Sequence, residues 1–184
     1  MKKKKIHLGN QVVVSDPIYN IETSSQSVVS NVKPGIYYTW INKTKSSLIG
    51  EIITEVVATH EEFYHELCDD CGILDWHLYD DCIEVNSGQC GIFSIETYRN
   101  DKMADIITRS AHGQIFEHLP IVESGDLWYM TISSLSLSKK GWGTYWGGVV
   151  ATAGIGCGEF DLFIQKENDE IHSFLLEFAD PFLM

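Results

Sequence analysis

The chain has 184 residues, of which 26 are acidic and 13 are basic, so it carries a formal net charge of −13. This length suits one domain. A hydrophobic fraction of 44% supplies the material for a core, which excludes a disordered or collagen-like chain. No stretch approaches the ~18–20 apolar residues of a transmembrane helix. We therefore expect a folded acidic protein of the cytoplasm, with reduced thiols and no membrane partner.

Charge is uneven along the chain. Residues 1–50 carry seven lysines and two acids, a net charge of +5, so the remaining residues carry −18. The acidic stretch, residues 61–84, holds nine carboxylates and no Lys or Arg. Because such a field repels phosphate backbones, we expect no nucleic-acid ligand and instead a basic protein surface or a cation. The candidate interface residues in this stretch are Asp69, Asp70, Asp80 and Asp81.

Strand-like segments dominate, because β-branched and aromatic residues group between clusters of Gly, Asn, Asp and Ser. In chain order, the predicted strands are residues 11–15, 35–41, 48–60, 82–85, 91–95, 127–137, 148–153, 159–165 and 171–178. Bulky residues occupy both alternation classes of 35–41, which is typical of a strand covered on both faces. The polar connector 166–170 has hairpin length, so the last two strands are predicted to form an antiparallel hairpin.

Helix signals are fewer. Apolar residues at helical spacing predict a helix over 102–118, capped by Asn100 or Asp101. A shorter helix is predicted after Thr59, with two glutamates at its positive end. We predict one α+β domain over residues 1–184, mainly antiparallel β in a sandwich or curved sheet, with one or two helices. Residues 1–8 are predicted to form a flexible basic terminus.

A group of thiols and imidazoles lies within the acidic stretch. Donors separated by two residues can chelate tetrahedral Zn²⁺, and a Cys-x-x-Cys pair is the usual first half of such a site. The alternative is a set of free cysteines, because the second half offers no tight pair and neighbouring carboxylates disfavour thiolates. The candidate zinc ligands are His65, Cys68, Cys71 and Cys82, with His77 between the last two cysteines.

Residues 141–148 set aromatic side chains among glycines. A loop of this kind can supply an interface anchor, and the candidate anchors are Trp142, Tyr145 and Trp146. The alternative is a loop that folds back over the core. The glycine-rich segment 154–158 precedes a strand rather than a helix, so it predicts a turn or bulge and not a phosphate loop.

Polar residues also stand at the ends of predicted strands, where turns and active sites are both found. A nucleophilic serine needs a base and an orienting acid. The candidate pocket consists of Asp16, His60, Ser87 and Gln89. The alternative is that these residues shape turns.

Five of these segments, in this order, resemble the DUF4241-like proteins, a group of unknown activity found in bacteria and large bacteriophages. They are SDPIY (15–19), VKPG (32–35), VVATH (56–60), VNSGQCGIF (85–93) and GVVATAGIG (148–156) with the strand after it. The resemblance covers about residues 9–98 and 146–178, and it leaves 99–145 as an excursion outside these motifs.

Three positions depart from the pattern of those proteins. This chain has Ile18 where they tend to have Cys, and Asn86 and Cys157 where they tend to have Asp. An amide does not titrate, so any proton transfer or metal binding by that acid in relatives is lost at Asn86. The resemblance therefore implies no reaction for this chain.

The leading hypothesis is a non-enzymatic acidic binding protein, of the type of phage accessory factors, that engages and modulates a bacterial host protein. It would act in the host cytoplasm if a phage encodes it, and a nucleic-acid mimic or defence inhibitor is a specific form of it. One alternative is a small enzyme or small-molecule-binding protein that uses the candidate pocket. The other is a zinc-stabilised structural protein, and apart from that zinc no cofactor is predicted.

Overall fold

The computed structural model describes residues 3–21, 25–46, 50–64, 76–104 and 123–178. Within them, eleven strands and one α-helix form. The strands are β1 (Lys4–Leu8), β2 (Gln11–Ser15), β3 (Ser27–Ser30), β4 (Gly35–Ser46), β5 (Gly50–His60), β6 (His77–Val85), β7 (Gln89–Ser94), β8 (Trp142–Tyr145), β9 (Gly148–Thr152), β10 (Gly158–Glu167) and β11 (Glu170–Glu177); the helix, α1, spans Asp126–Ser136.

The strands build two antiparallel sheets. One has six strands in the order β1-β4-β5-β11-β10-β6, and the other has five in the order β3-β2-β7-β9-β8. Alternate side chains of both sheets meet in one buried core, as strand pleating requires of two sheets packed face to face. Representative core residues are Ile6, Tyr37 and Phe174 from the first sheet and Val14, Ile92 and Val149 from the second. The predicted antiparallel sandwich is confirmed.

Helix α1 covers the other face of the five-stranded sheet. Its Trp128 and Ile132 are fully buried and pack in a second apolar cluster with Phe93, Tyr145 and Val150. The strand predicted over 127–137 is therefore wrong. The buried positions of α1 recur every three or four residues, a helical period that the β-branched and aromatic composition of the segment masks.

Asp101 caps the start of α1 from outside the helix. The residue before α1 is Gly125, which has a left-handed φ of 92° and no side chain to accept a backbone N–H. Asp101 instead accepts the N–H of Gly125 at 2.8 Å and that of Trp128 at 3.0 Å. This carboxylate satisfies amides that the helix itself leaves without partners and lies at the positive end of the helix dipole.

The two predicted helices lie largely outside the described residues. Residues 101–103 form a single 3₁₀ turn after Asn100, whose side chain accepts the N–H of Lys102, and 105–122 are not described. After Thr59, strand β5 continues to His60 and the chain then turns, while 65–75 are not described. No helix among the described residues is both long and apolar enough to span a membrane.

The basic N-terminal segment is a strand rather than a flexible tail. Lys4–Leu8 pairs with β4, and Ile6 and Leu8 are fully buried. The expectation of flexibility is wrong for this part because apolar residues alternate inward between polar ones, which suits an edge strand. The lysine Nζ atoms lie over aromatic rings, with Lys4 at 4.6 Å from the centre of Trp142 and Lys5 at 4.9 Å from that of Tyr38.

The C-terminal hairpin forms as predicted. Strands β10 and β11 pair antiparallel, from Asp161 opposite Glu177 to Glu167 opposite Glu170. Asn168 and Asp169 turn the chain with φ values of 51° and 66°. Positive φ at both central residues is the signature of the two-residue turn that matches strand twist.

Candidate functional site

Three of the sequence motifs meet at one end of the sandwich. Asp16 follows β2, residues 86–88 turn the chain from β6 into β7, and residues 153–157 join β9 to β10. The N–H of Ala153 donates to the carbonyl of Gly88 at 3.0 Å. The thiol of Cys157 lies 3.1 Å from the carbonyl oxygen of Asn86. Strand pairing thus brings together segments that are far apart in the sequence.

Asp16 holds this end together through a fully buried carboxylate. Oδ1 accepts the N–H of Ile18 at 2.9 Å and the hydroxyl of Ser87 at 2.6 Å. Oδ2 accepts the N–H of Asn86 at 2.8 Å and that of Ser87 at 2.5 Å. Hydrogen bonds to a carboxylate are stronger than neutral ones, and this carboxylate has two donors on each oxygen. The arrangement therefore ties the turn at residues 86–88 to the end of β2.

Around this carboxylate lies an outer shell of polar side chains. The amide of Asn86 donates to Glu84 at 2.7 Å and to the hydroxyl of Tyr19, and Ser25 donates to Glu84 at 2.6 Å. The hydrogen bonds from Ser25 and Asn86 lower the pKa of Glu84 below its ordinary value. These side-chain hydrogen bonds connect the loop after β2 and the segment before β3 to the end of β6.

The four residues of the candidate pocket do not converge. Asp16 and Ser87 touch, whereas the side chain of Gln89 turns towards α1, where its Nε2 donates to Ser133 at 3.4 Å and its Oε1 accepts from Ser136. His60 belongs to the other sheet. The predicted pocket is therefore wrong as a unit, because Gln89 starts β7 with its side chain facing the helix layer.

His60 lies in an aromatic environment of its own. Its ring meets Tyr37 edge to face, with centroids 5.3 Å apart, and a β-carbon on Gly35 would lie 2.5 Å from its Nε2. Burial lowers the pKa of His60 from its ordinary value of 6.5. A neutral, packed imidazole is thus favoured at this position.

The predicted aromatic loop is a β-hairpin. Trp142 and Tyr145 lie in β8 with 7% of their surface exposed, whereas Trp146 at the tip is 57% exposed. The ring of Trp146 stacks on His7 at 5.2 Å, and its carbonyl accepts the N–H of His7 at 2.7 Å. Trp142 and Tyr145 are therefore core residues and not interface anchors, which leaves Trp146 as the exposed aromatic residue of this hairpin.

The acidic stretch is described only in part. Asp80, Asp81 and Cys82 lie in β6, while 65–75, which contain Asp69, Asp70 and the zinc candidates His65, Cys68 and Cys71, lie outside the described residues. Among the residues that the structure does describe, no three His, Cys, Asp or Glu side chains gather in a metal-binding group. The zinc site stays a prediction.

Strand β6 exposes two apolar side chains that the sequence analysis missed. Leu78 and Tyr79 are 54% and 42% exposed and lie between His77 and Asp80. The predicted strand began only at Cys82, so these residues were assigned to no element. The signal in the sequence was an adjacent apolar pair with carboxylates on its C-terminal side, a pattern that a buried strand does not show.

Comparison with known protein families, with curated proteins and with solved structures finds no match for this chain. The resemblance to DUF4241-like proteins stays a prediction.

Proposed function

We propose that the protein is a non-enzymatic acidic binding protein that engages a basic surface of another protein through strand β6. The observation that carries this proposal is the exposure of Leu78 and Tyr79 on the same edge strand as Asp80 and Glu84. Exposed large apolar side chains rimmed by charge are typical of interaction surfaces. The carboxylates would steer a basic partner, and the apolar pair would supply contact area.

The position of β6 in its sheet separates its carboxylates from the N-terminal lysines. The N-terminal lysines Lys4 and Lys5 belong to β1, at the opposite edge of the six-stranded sheet. Five strand spacings separate the two edges, a distance of about 24 Å. That separation exceeds the Debye length of ~8 Å at physiological ionic strength. The lysines of β1 therefore do not screen the negative field of Asp80 and Glu84 from a partner that approaches β6.

The kind of partner follows from charge and from the family resemblance. A net charge of −13 disfavours nucleic acid as the ligand. The resemblance to proteins of bacteria and their phages supports a phage-type accessory factor that modulates a bacterial host protein in the host cytoplasm. A basic groove that normally holds phosphates is a suitable target for carboxylates, so a nucleic-acid mimic or a defence inhibitor is a specific form of the proposal.

The geometry at Asp16 favours this proposal over the small-enzyme alternative. The hydroxyl of Ser87 already donates to Asp16, and both Asp16 oxygens already have two donors. His60, the base that a nucleophilic serine would need, lies in the other sheet. The same residues account for the turn between β6 and β7 without any chemistry.

Affinity capture with charge variants tests the proposal. The immobilised chain would be exposed to bacterial lysate, and captured proteins would be titrated at several salt concentrations. The test variant is Asp80→Asn with Asp81→Asn. The matched control is Glu51→Gln with Glu123→Gln, which removes two exposed charges elsewhere.

We expect a protein captured by the wild type and by the control, with affinity about 5- to 10-fold weaker for the test variant at low salt. The affinity should fall as salt rises. Capture of no protein, or equal loss in both double variants, would contradict the proposed surface, and capture of nucleic acid at physiological salt would contradict the partner class.

A further inference from the structure

A β-bulge places the two exposed apolar residues of β6 side by side. In the pairing with β10, Phe163 faces Leu78 and the next residue towards the N-terminus, Leu162, faces Asp80, so Tyr79 is an extra residue on β6. Consecutive side chains of a regular strand point to opposite faces, and a bulge redirects one of them. Leu78 and Tyr79 accordingly line the same cleft.

The β6 cleft, lined by Leu78, Tyr79, Ile164, Ile171 and the Ser30–Asn31 link, has a volume of about 770 Å³. Ile164 and Ile171 are buried and form its apolar floor. A backbone hydrogen bond joins two of its walls, since Ile171 donates to the carbonyl of Asn31 at 2.8 Å. A cleft of this size is within the range of ligand sites, ~300–1,000 Å³, and the bond from Ile171 fixes the Ser30–Asn31 link against β11.

The charged residues that line the β6 cleft are one cation, Lys166, and one anion, Asp169. Lys166 is the cation that lines it, and its Nζ lies 3.4 Å from the carboxylate of Asp169. Asp80 and Glu167 are each adjacent in the sequence to a lining residue. Neither of them takes part in an ion pair among the described residues. The nearby Glu170 is paired with Lys33 at 3.4 Å. The excess negative charge near the cleft therefore comes from Asp80 and Glu167, beside the lining. Acidic residues beside an apolar floor match a segment that has the opposite charge.

We infer that the β6 cleft receives one large apolar side chain of a partner segment whose neighbouring residues are Lys or Arg. This inference rests on the proposed protein-binding function and adds the place and the chemistry of the contact. An anchor side chain in a pocket supplies most of the affinity of a typical interface. The charged residues around the pocket contribute mainly to the rate of association. Leu78 and Tyr79 contact the anchor directly.

Synthetic peptides supply the probe. The first is a dodecapeptide of Gly and Ser with one central Trp and three Lys on either side of it. The second replaces Trp by Ala, and the third replaces the six Lys by Glu. Each would be titrated into the isotope-labelled full chain while backbone amide shifts are followed by NMR.

We expect saturable shifts for the Lys–Trp peptide at residues 77–80, 164–171 and 30–31, and an affinity at least 5-fold weaker for the other two peptides. Leu78→Ser should weaken binding of the Lys–Trp peptide about 5- to 10-fold. The matched control is Ile155→Ser, an exposed aliphatic residue near the opposite end of β10, which should leave binding unchanged. Because Leu78 is exposed, its replacement should leave the fold intact.

The outcomes separate this inference from the proposed function. Equal affinity for the Trp and Ala peptides would overturn the anchor and leave an electrostatic protein-binding surface standing. Shifts confined to other parts of the chain, or no saturation up to about 1 mM peptide, would overturn the cleft as the site. Equal affinity for the Glu peptide would overturn the basic partner, and concentration-dependent dimerisation that covers the same amides would show a second copy as the occupant instead.

Discussion

Replacement of Asp16 by Asn tests whether this buried carboxylate holds the loop end of the sandwich. Asn has nearly the same shape, but it presents one carbonyl oxygen and one NH₂ group in place of two acceptor oxygens. Asp16 accepts four hydrogen bonds, two on each oxygen. When the new NH₂ group takes the place of Oδ1, it can donate to the Ser87 hydroxyl, and the N–H of Ile18 loses its acceptor. The bonds that remain lose the charge of the carboxylate.

The magnitude follows from that geometry. A hydrogen bond to a charged group contributes about 1.5–3 kcal/mol, and loss of the buried charge offsets part of this because a neutral side chain is easier to desolvate. We therefore expect Asp16→Asn to lower the free energy of unfolding by about 2–3 kcal/mol. Ser87→Ala removes one of the four bonds and should cost about 1.5–2 kcal/mol.

The assay is urea denaturation at pH 7, followed by tryptophan fluorescence, with Asp169→Asn as the matched control. Asp169 is exposed and has a left-handed φ of 66°, a conformation that Asn tolerates, so the control should change stability by less than about 0.5 kcal/mol. A loss below about 1 kcal/mol for Asp16→Asn would refute the reasoning. If that variant does not fold, an unchanged stability of Ser87→Ala would refute it equally.

Three further predictions concern the core, pH and metal. Trp142→Ala should cost about 3–5 kcal/mol in urea denaturation and Trp146→Ala less than about 1 kcal/mol, because only the first is buried; similar losses would contradict the hairpin packing. Because burial lowers the pKa of His60, its stabilising contribution is complete above pH 6.5 and is lost as pH falls through the lowered value. His60→Gln should therefore flatten the decrease in unfolding free energy between pH 7 and 5, and an unchanged slope would count against this. For the zinc prediction, elemental analysis of protein purified without added metal should find one zinc per chain, and a much lower content would exclude a site built from His65, Cys68, Cys71 and Cys82.

Local sequence patterns determined much of the sandwich. Strand β2 coincides with the predicted 11–15, and the β10–β11 hairpin follows from alternation on both sides of a polar connector. These elements could be predicted because pleating places alternate residues on opposite faces, so burial of one face shows directly in the sequence. The same alternation is present in Lys4–Leu8, but it covers only Ile6 and Leu8 and follows a run of lysines, which by itself predicts a solvated terminus.

Helix α1 shows where local pattern was insufficient. Its Trp, Tyr, Thr and Ile residues have high strand propensity, and tertiary contacts override that preference. Asp101 caps the helix from 25 residues before its start, and the five-stranded sheet covers its apolar side. The period of its buried residues was present in the sequence, whereas its cap and its packing partners depend on the folded chain.

The candidate sites depended most on tertiary structure. The sequence by itself identified Asp16 and Ser87 as polar residues at strand ends, but their hydrogen bond joins positions 71 residues apart. The arrangement of the strands places His60 in the other sheet and turns Gln89 towards α1. The sequence also indicated three aromatic residues as interface anchors in one hairpin, and of these only Trp146 is exposed in the structure. Strand order decides which strand ends become neighbours, and packing of the second layer decides which side chains are covered. Both arise from contacts between residues distant in the chain, which a local pattern of apolar and polar residues does not encode.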